Sequence, residues 1–185
     1  MAHRVCPWWL GYFLASPIRR WLLSPEPIVA PYLRPGMTVL ESGPGMGFFT
    51  LPMASTVGAS GHVVAVDIQS KMVTRLKRRA LQAGLLDRID ARVATGNSLG
   101  IGDLRGRVDF TLAFAMVHEL PDGHPFFSEV AAASKQGALL LLAEPAGHVK
   151  ASEFDAEIER AQATGFTEVE RPSIQRSQAV LLRKK

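Results

Sequence analysis

Unbroken apolar runs such as Val63-Val64-Ala65-Val66 and Leu139-Leu140-Leu141-Leu142 constrain this chain more than any other feature. Successive side chains of a strand point to opposite faces, so a strand with one wet face alternates polar and apolar residues. A continuous run suits a strand covered on both faces, the usual state of a parallel sheet flanked by helices. Strand patterns fall at Thr38–Glu41, His62–Asp67, Ile89–Ala94, Val108–Ala113 and Ala138–Ala143. Helical patterns cover Phe48–Val57, Ser70–Ala83 and Gly123–Ser134, and Ser152–Thr164 follows the fifth strand. Repeated strand–helix–strand units imply parallel pairing with right-handed crossovers. The ending breaks the alternation. Phe166–Arg171 and Gln175–Arg183 read as two strands joined around Pro172-Ser173, which predicts an antiparallel hairpin.

Proline punctuates the N-terminal third. Ser16-Pro17 and Ser24-Pro25 each place a capping serine before a proline suited to a first helical turn. They predict helices through Leu23 and through about Leu33, with Pro35-Gly36 turning into the first strand. Residues 1–34 are therefore expected to form a helical cap or lid, and 35–185 the rest of a single globular domain. The aromatics Trp8, Trp9, Tyr12 and Phe13 suit such a lid or the packing of its helix. His3 and Arg4 ahead of Val5–Ala15 imitate a short secretory signal, but the bulky Trp8 and Trp9 and the following Arg19 and Arg20 do not fit one. No run approaches the ~20 apolar residues of a membrane span.

With 47% hydrophobic and 21% charged residues, the chain has globular rather than disordered composition. A single cysteine, Cys6, excludes an internal disulfide framework, and no Cys/His cluster has zinc spacing, so no metal site is expected and a reducing cytoplasm is the expected compartment. The formal net charge of +4 invites a nucleic-acid reading. The densest basic groups are Arg75, Lys77, Arg78 and Arg79 on a helical segment and Arg183-Lys184-Lys185 at the end. A solvated helix face and a basic tail account for them without a polyanion. Nothing in the pattern specifies an oligomeric state.

Chemistry concentrates where the first strand ends, in Glu41-Ser42-Gly43-Pro44-Gly45-Met46-Gly47. A sharp strand-to-helix turn needs positive φ and close approach of a ligand to the backbone, and glycine provides both. A dinucleotide fingerprint beginning at Gly43 requires glycine at 48, where Phe48 stands, and a phosphate loop requires a lysine that is absent. The remaining pattern, E-x-G-x-G-x-G, resembles motif I of the class I S-adenosylmethionine (SAM) dependent methyltransferases. The resemblance extends over about residues 35–183. It implies an α/β, Rossmann-like doubly wound sheet of about seven strands, mostly parallel with a C-terminal antiparallel hairpin and helices on both faces.

The resemblance also implies a cofactor, SAM, leaving as S-adenosylhomocysteine, and a track of residues for it. Gly43, Pro44, Gly45 and Gly47 would meet its methionine end, with Glu41 near the ammonium. Asp67, closing Val63-Val64-Ala65-Val66, would accept from the ribose hydroxyls, and Ile68 would pack on adenine. Asn97 and Ser98, in Thr95-Gly96-Asn97-Ser98-Leu99, stand where many relatives carry an acid facing the adenine amino group; Asn97 keeps an acceptor oxygen without the charge.

At the acceptor end, Val117-His118-Glu119 after the fourth strand resembles a segment common in small-molecule methyltransferases, including those related to quinone-biosynthesis enzymes. His118 and Glu119 are the leading polar candidates to bind the acceptor or take its proton. Glu144-Pro145-Ala146-Gly147-His148 adds His148 as a further candidate and Glu144 beside it. No Pro-Pro-aromatic segment follows strand four, and no Pro-Cys nucleophile is present, which disfavours nucleobase-amine and cytosine C5 chemistry. The expected activity is methyl transfer to a small molecule by in-line displacement. The alternatives are an RNA acceptor and a non-catalytic SAM-binding protein.

Overall fold

The computed structural model describes residues 24–95 and 98–185. Helix α1 (Pro25–Val29) and a 3-10 turn over Ala30–Tyr32 lead into β1 (Thr38–Ser42). Helix α2 (Thr50–Val57), β2 (His62–Asp67), α3 (Ser70–Gln82) and β3 (Ile89–Val93) complete a compact unit that ends at Ala94. A second unit, Thr95–Lys185, holds β4 (Val108–Phe114), α4 (Gly123–Ala133), β5 (Ser134–Pro145), α5 (Ala151–Ala163), β6 (Phe166–Glu170) and β7 (Ser177–Lys184). The seven strands run in the order β3-β2-β1-β4-β5-β7-β6. Pairing is parallel for β1–β2, β2–β3 and β4–β5, and antiparallel for β5–β7 and β6–β7. This is the Rossmann-like sheet with a closing hairpin that the apolar runs and the terminal strand pair imply.

Burial explains why the continuous runs form strands. Val63, Val64, Ala65 and Val66 are at most 1% exposed, and Leu140, Leu141 and Leu142 are fully buried. In α3 the buried residues Met72, Val73, Leu76 and Ala80 make one stripe, while Lys77 and Arg78 face solvent. That stripe is what a 3.6-residue period requires. In the second unit, α4 buries Phe126, Phe127 and Val130, and Asp122 caps its start by accepting from the His124 N–H at 2.9 Å.

Element ends depart from the pattern for local reasons. Helix α2 begins at Thr50 rather than Phe48, because residues 45–49 are spent in the turn that Gly47 makes at φ +86°. The segment after Ser24 is α-helical only to Val29, and Ser24 makes no side-chain cap bond there. Strand β5 extends back to Ser134, a stretch where Lys135, Gln136 and Gly137 are all exposed and the register against β4 shifts. Three exposed residues in succession carry no strand signal. Strand β7 begins at Ser177 after Arg176 turns with φ +59°. The helix over 17–23 and the aromatic lid residues lie outside the described residues.

Candidate active site

The glycine loop is built from left-handed backbone. Gly43, Gly45 and Gly47 have φ of 73°, 53° and 86°, a region that costs an L-residue roughly 1–2 kcal/mol. The glycines differ in what a side chain would meet. A Cβ on Gly47 would lie 2.5 Å from Leu76 Cδ1, whereas a Cβ on Gly45 would meet nothing within 4 Å. Gly47 lets α3 pack against the loop, and Gly45 leaves open space beside its backbone. The Gly43 N–H donates to the Val66 carbonyl at 3.0 Å, and the Gly47 N–H to the Pro44 carbonyl at 2.9 Å. Arg79, one of the basic residues of α3, turns its Nη1 to the Met46 carbonyl at 2.5 Å. Part of that basic cluster therefore holds the loop and is not simply a solvated face.

Two buried acids frame the loop. Asp67 Oδ2 accepts from the Gly45 N–H at 3.1 Å and Oδ1 from the Gln69 N–H at 2.8 Å. Burial pushes the Asp67 carboxyl above its ordinary range, and these two N–H bonds pull against that. A carboxylate has about four lone-pair sites, so two remain for hydroxyl donors. Glu41 is 3% exposed, and its Oε2 accepts the Thr50 hydroxyl at 2.5 Å, tying β1 to the first turn of α2. Desolvation raises Glu41 to about 8; the Thr50 bond opposes the rise, and Asp67 adds to it. Pro44 is buried, and Ile68 presents an exposed apolar side chain, 56% accessible.

The loop after β3 is held by a residue that gave no sequence signal. Glu129 on α4 accepts from the Leu99 N–H with both oxygens, at 3.2 and 3.1 Å, and from the Ser98 hydroxyl at 3.2 Å. Ser98 thus spends its hydroxyl on Glu129. Asn97 lies outside the described residues.

The acceptor candidates gather at the carboxyl ends of β4 and β5. Ala115 follows β4 in the left-handed region, φ 56°, while its N–H bonds the Ala143 carbonyl at 2.7 Å. This turn redirects the chain into a 3-10 turn over Val117–Glu119. Glu144, wholly buried, organises that turn. Its Oε1 accepts from the N–H groups of Met116, Val117 and His118 at 3.3, 2.8 and 3.4 Å. Its Oε2 pairs with His118 Nδ1 at 2.5 Å. The Glu144 bond raises the His118 imidazole above its ordinary pKa; partial burial works the other way, and the charges of Glu144, Glu119 and Glu157 add to the rise. With Nδ1 engaged, Nε2 is the nitrogen left for a substrate.

His148 is exposed, and its ring meets that of His118 edge-on at 5.1 Å between centroids. Glu119, half-buried, acts on His118 through charge. Glu144 therefore emerges as the pivot of this end, and Glu157 on α5 as an unforeseen neighbour.

Residues 39–137 match the protein family described as "Methyltransferase domain". The chain belongs to the class I SAM-dependent methyltransferases. Among curated relatives of this methyltransferase, the ubiquinone/menaquinone biosynthesis C-methyltransferase UbiE of Brucella suis is 28% identical over 116 residues, 63% of this chain and 42% of that protein. A tRNA (adenine) N(1)-methyltransferase, TrmI of Methanocaldococcus jannaschii, is 27% identical over 107 residues, 49% of this chain and 38% of its own. The chain thus spans about two fifths of the relatives it matches. A SAM-dependent methyltransferase structure from Aquifex aeolicus superposes with a TM-score of 0.86 at 22% identity, over 98% of this chain and all of that one. The family match stops at residue 137. Glu144, His148 and Glu157 lie beyond it. Among the described residues, no helix is long and apolar enough to cross a membrane.

Proposed function

We propose that this methyltransferase methylates a small molecule whose nucleophile must lose a proton, with His118 as the base. The pairing of His118 Nδ1 with the buried Glu144 carries this reading. A base is needed only when the attacking atom is protonated at neutral pH, and a carboxylate on Nδ1 both orients the ring and stabilises the imidazolium that forms. His118 Nε2 would take the acceptor's proton, and Glu119 and His148 would flank the acceptor.

SAM supplies an activated methyl, so the protein has mainly to align the two reactants and exclude water. The residues of the first unit fit it. Open space beside Gly45 admits a ligand against the backbone, with Gly43, Pro44 and Gly47 shaping the turn around its methionine end. The two remaining lone-pair sites of Asp67 suit ribose hydroxyls, and the exposed face of Ile68 suits adenine; Asn97 and Ser98 keep the role that the family resemblance implies for them. Glu41 faces the ammonium end. A cation there favours its ionised form, so binding releases a proton at neutral pH.

The RNA reading is motivated by the TrmI similarity and the positive net charge. Against it, Glu119 and Glu144 both act on His118, and a carboxylate beside the transfer point repels a phosphate backbone. The low-mass acceptor is the better fit, and the UbiE similarity points to quinone-like and phenolic compounds as first candidates. The test is S-adenosylhomocysteine production from SAM with a panel of hydroquinones, phenols and bulk tRNA, for wild type and His118→Gln. Turnover of a low-mass compound that falls at least about 100-fold in His118→Gln is expected. Turnover on tRNA alone, or an unaffected variant, would sink the reading.

A further inference from the structure

On α5 the buried residues are Phe154, Glu157, Ile158 and Ala161, so a carboxyl occupies a position in an otherwise apolar stripe. Glu157 is 4% exposed, and its Oε2 is buried without a hydrogen-bond partner among the described residues. An unpartnered buried polar atom costs free energy and calls for an explanation in the site it serves. The groups that act on Glu157 most are Glu144 on β5, His118 after β4, and Arg160 and Glu153 on its own helix. From the other elements packed on α5, Glu129 of α4 is turned to the Ser98-Leu99 loop, His124 of α4 approaches Ser128, and Glu168 of β6 bonds Arg171. Core packing gains nothing from a carboxyl here; the His118–Glu144 pair does.

We propose that Glu157 is a positioning residue, the third member of the His118–Glu144 cluster, and sets how readily His118 holds a proton. Protonated, it is a neutral neighbour of the imidazole. Ionised, it adds a second negative charge to that of Glu144 and favours the imidazolium. Burial, with the Glu144 charge adding to it, pushes the Glu157 carboxyl up to about 8. The carboxyl and the imidazole therefore titrate as a coupled pair: as Glu157 gives up its proton, His118 holds its own more tightly.

This role bears on turnover only through the assignment of His118 as base, so its test reads the cluster without turnover. The full chain, labelled at histidine Cε1, is titrated by NMR as wild type, Glu157→Gln and Glu157→Leu. Loss of one resonance in His118→Gln assigns His118 among the five histidines. The His118 midpoint is expected to move to lower pH in both Glu157 variants. Labelled glutamate carboxyls should also lose one signal titrating at about 8 in Glu157→Gln, the other such signal belonging to Glu41. A His118 midpoint unmoved or raised in a folded Glu157 variant overturns the proposal. Failure of the base assignment shows separately, as turnover indifferent to His118→Gln.

Discussion

Two glycines of one loop, a residue apart from each other, should fail in different ways. Gly45→Ala places a methyl in open space, so its stability cost is the left-handed strain alone, about 1 kcal/mol. In the proposed site the methyl intrudes where the cofactor approaches, so calorimetry should show at least about tenfold weaker S-adenosylhomocysteine binding, or roughly 1.4 kcal/mol. Gly47→Ala drives its methyl to 2.5 Å from Leu76 Cδ1, within a fully buried side chain, and adds overpacking to strain. Denaturant unfolding should register a loss of roughly 2–4 kcal/mol. Equal stability losses for the two variants would contradict this division of labour. At Glu144 the stake is comparable in size but electrostatic in origin. Glu144→Ala strands the Val117 N–H and leaves His118 Nδ1 without its carboxylate. A loss of roughly 2–4 kcal/mol is expected, and the His118 midpoint should fall towards that of an ordinary histidine. An unchanged midpoint would show that the pair does not form in solution.

At the scale of elements, the loops at strand ends carry the strain and the strands carry the burial. Ala115 sits at φ 56° between β4 and the turn that presents His118. Alanine bears this conformation at modest cost, but a β-branched residue crowds its own carbonyl. Ala115→Val should therefore lose about 1–3 kcal/mol by thermal unfolding and impair turnover more than S-adenosylhomocysteine binding, since the cofactor residues lie on other elements. A parallel loss of cofactor affinity would instead tie the β4 turn to the donor site. On the proposed cofactor site, the β1–loop–α2 segment couples binding to protonation. If Glu41 gives up its proton when the ammonium binds, S-adenosylhomocysteine affinity should rise from pH 6 to pH 8, and calorimetry in buffers of different ionisation heat should show proton release. Affinity that is flat across this range, with no buffer dependence, would remove Glu41 from that role.

For the molecule as a whole, the perturbed acids and the histidine push stability in one direction. Glu41 and Glu157 are raised to about 8, and Asp67 and His118 are raised as well. In each case the folded state holds a proton at a pH where the unfolded chain has lost it. The Glu41 and Glu157 contributions are complete below the unfolded carboxyl range and are lost as pH climbs to about 8, and that of Asp67 is lost as pH rises through its own raised value. The His118 contribution is complete below the unfolded histidine value and is lost as pH rises through its raised folded value. Thermal unfolding should accordingly show a midpoint at pH 9 lower than at pH 5.5 by about 5 °C or more. The combined Glu41→Gln and Glu157→Gln variant should flatten the slope. A midpoint that rises with pH would show that these groups are not protonated in the folded state.

Much of this molecule is legible in one dimension. Apolar runs such as Val63–Val66 declare strands buried on both faces, because burial acts on each residue of the run. The glycines at 43, 45 and 47 declare their turn, because three left-handed positions so close together disfavour residues that carry a Cβ. Lys135-Gln136-Gly137 hides its strand, because a stretch left exposed carries no apolar mark. Local chemistry thus determined the fold class, the glycine loop and the candidates Asp67 and His118. Only the tertiary structure decided their partners: Glu144 beneath His118, Glu129 behind Ser98, Arg79 on the Met46 carbonyl, and Glu157 in an apolar stripe. Each of these pairs joins residues 26 or more positions apart, or is felt only through charge across the packed core. A side chain's partner and its proton depend on what surrounds it in space, and a sequence records only what stands next to it in the chain.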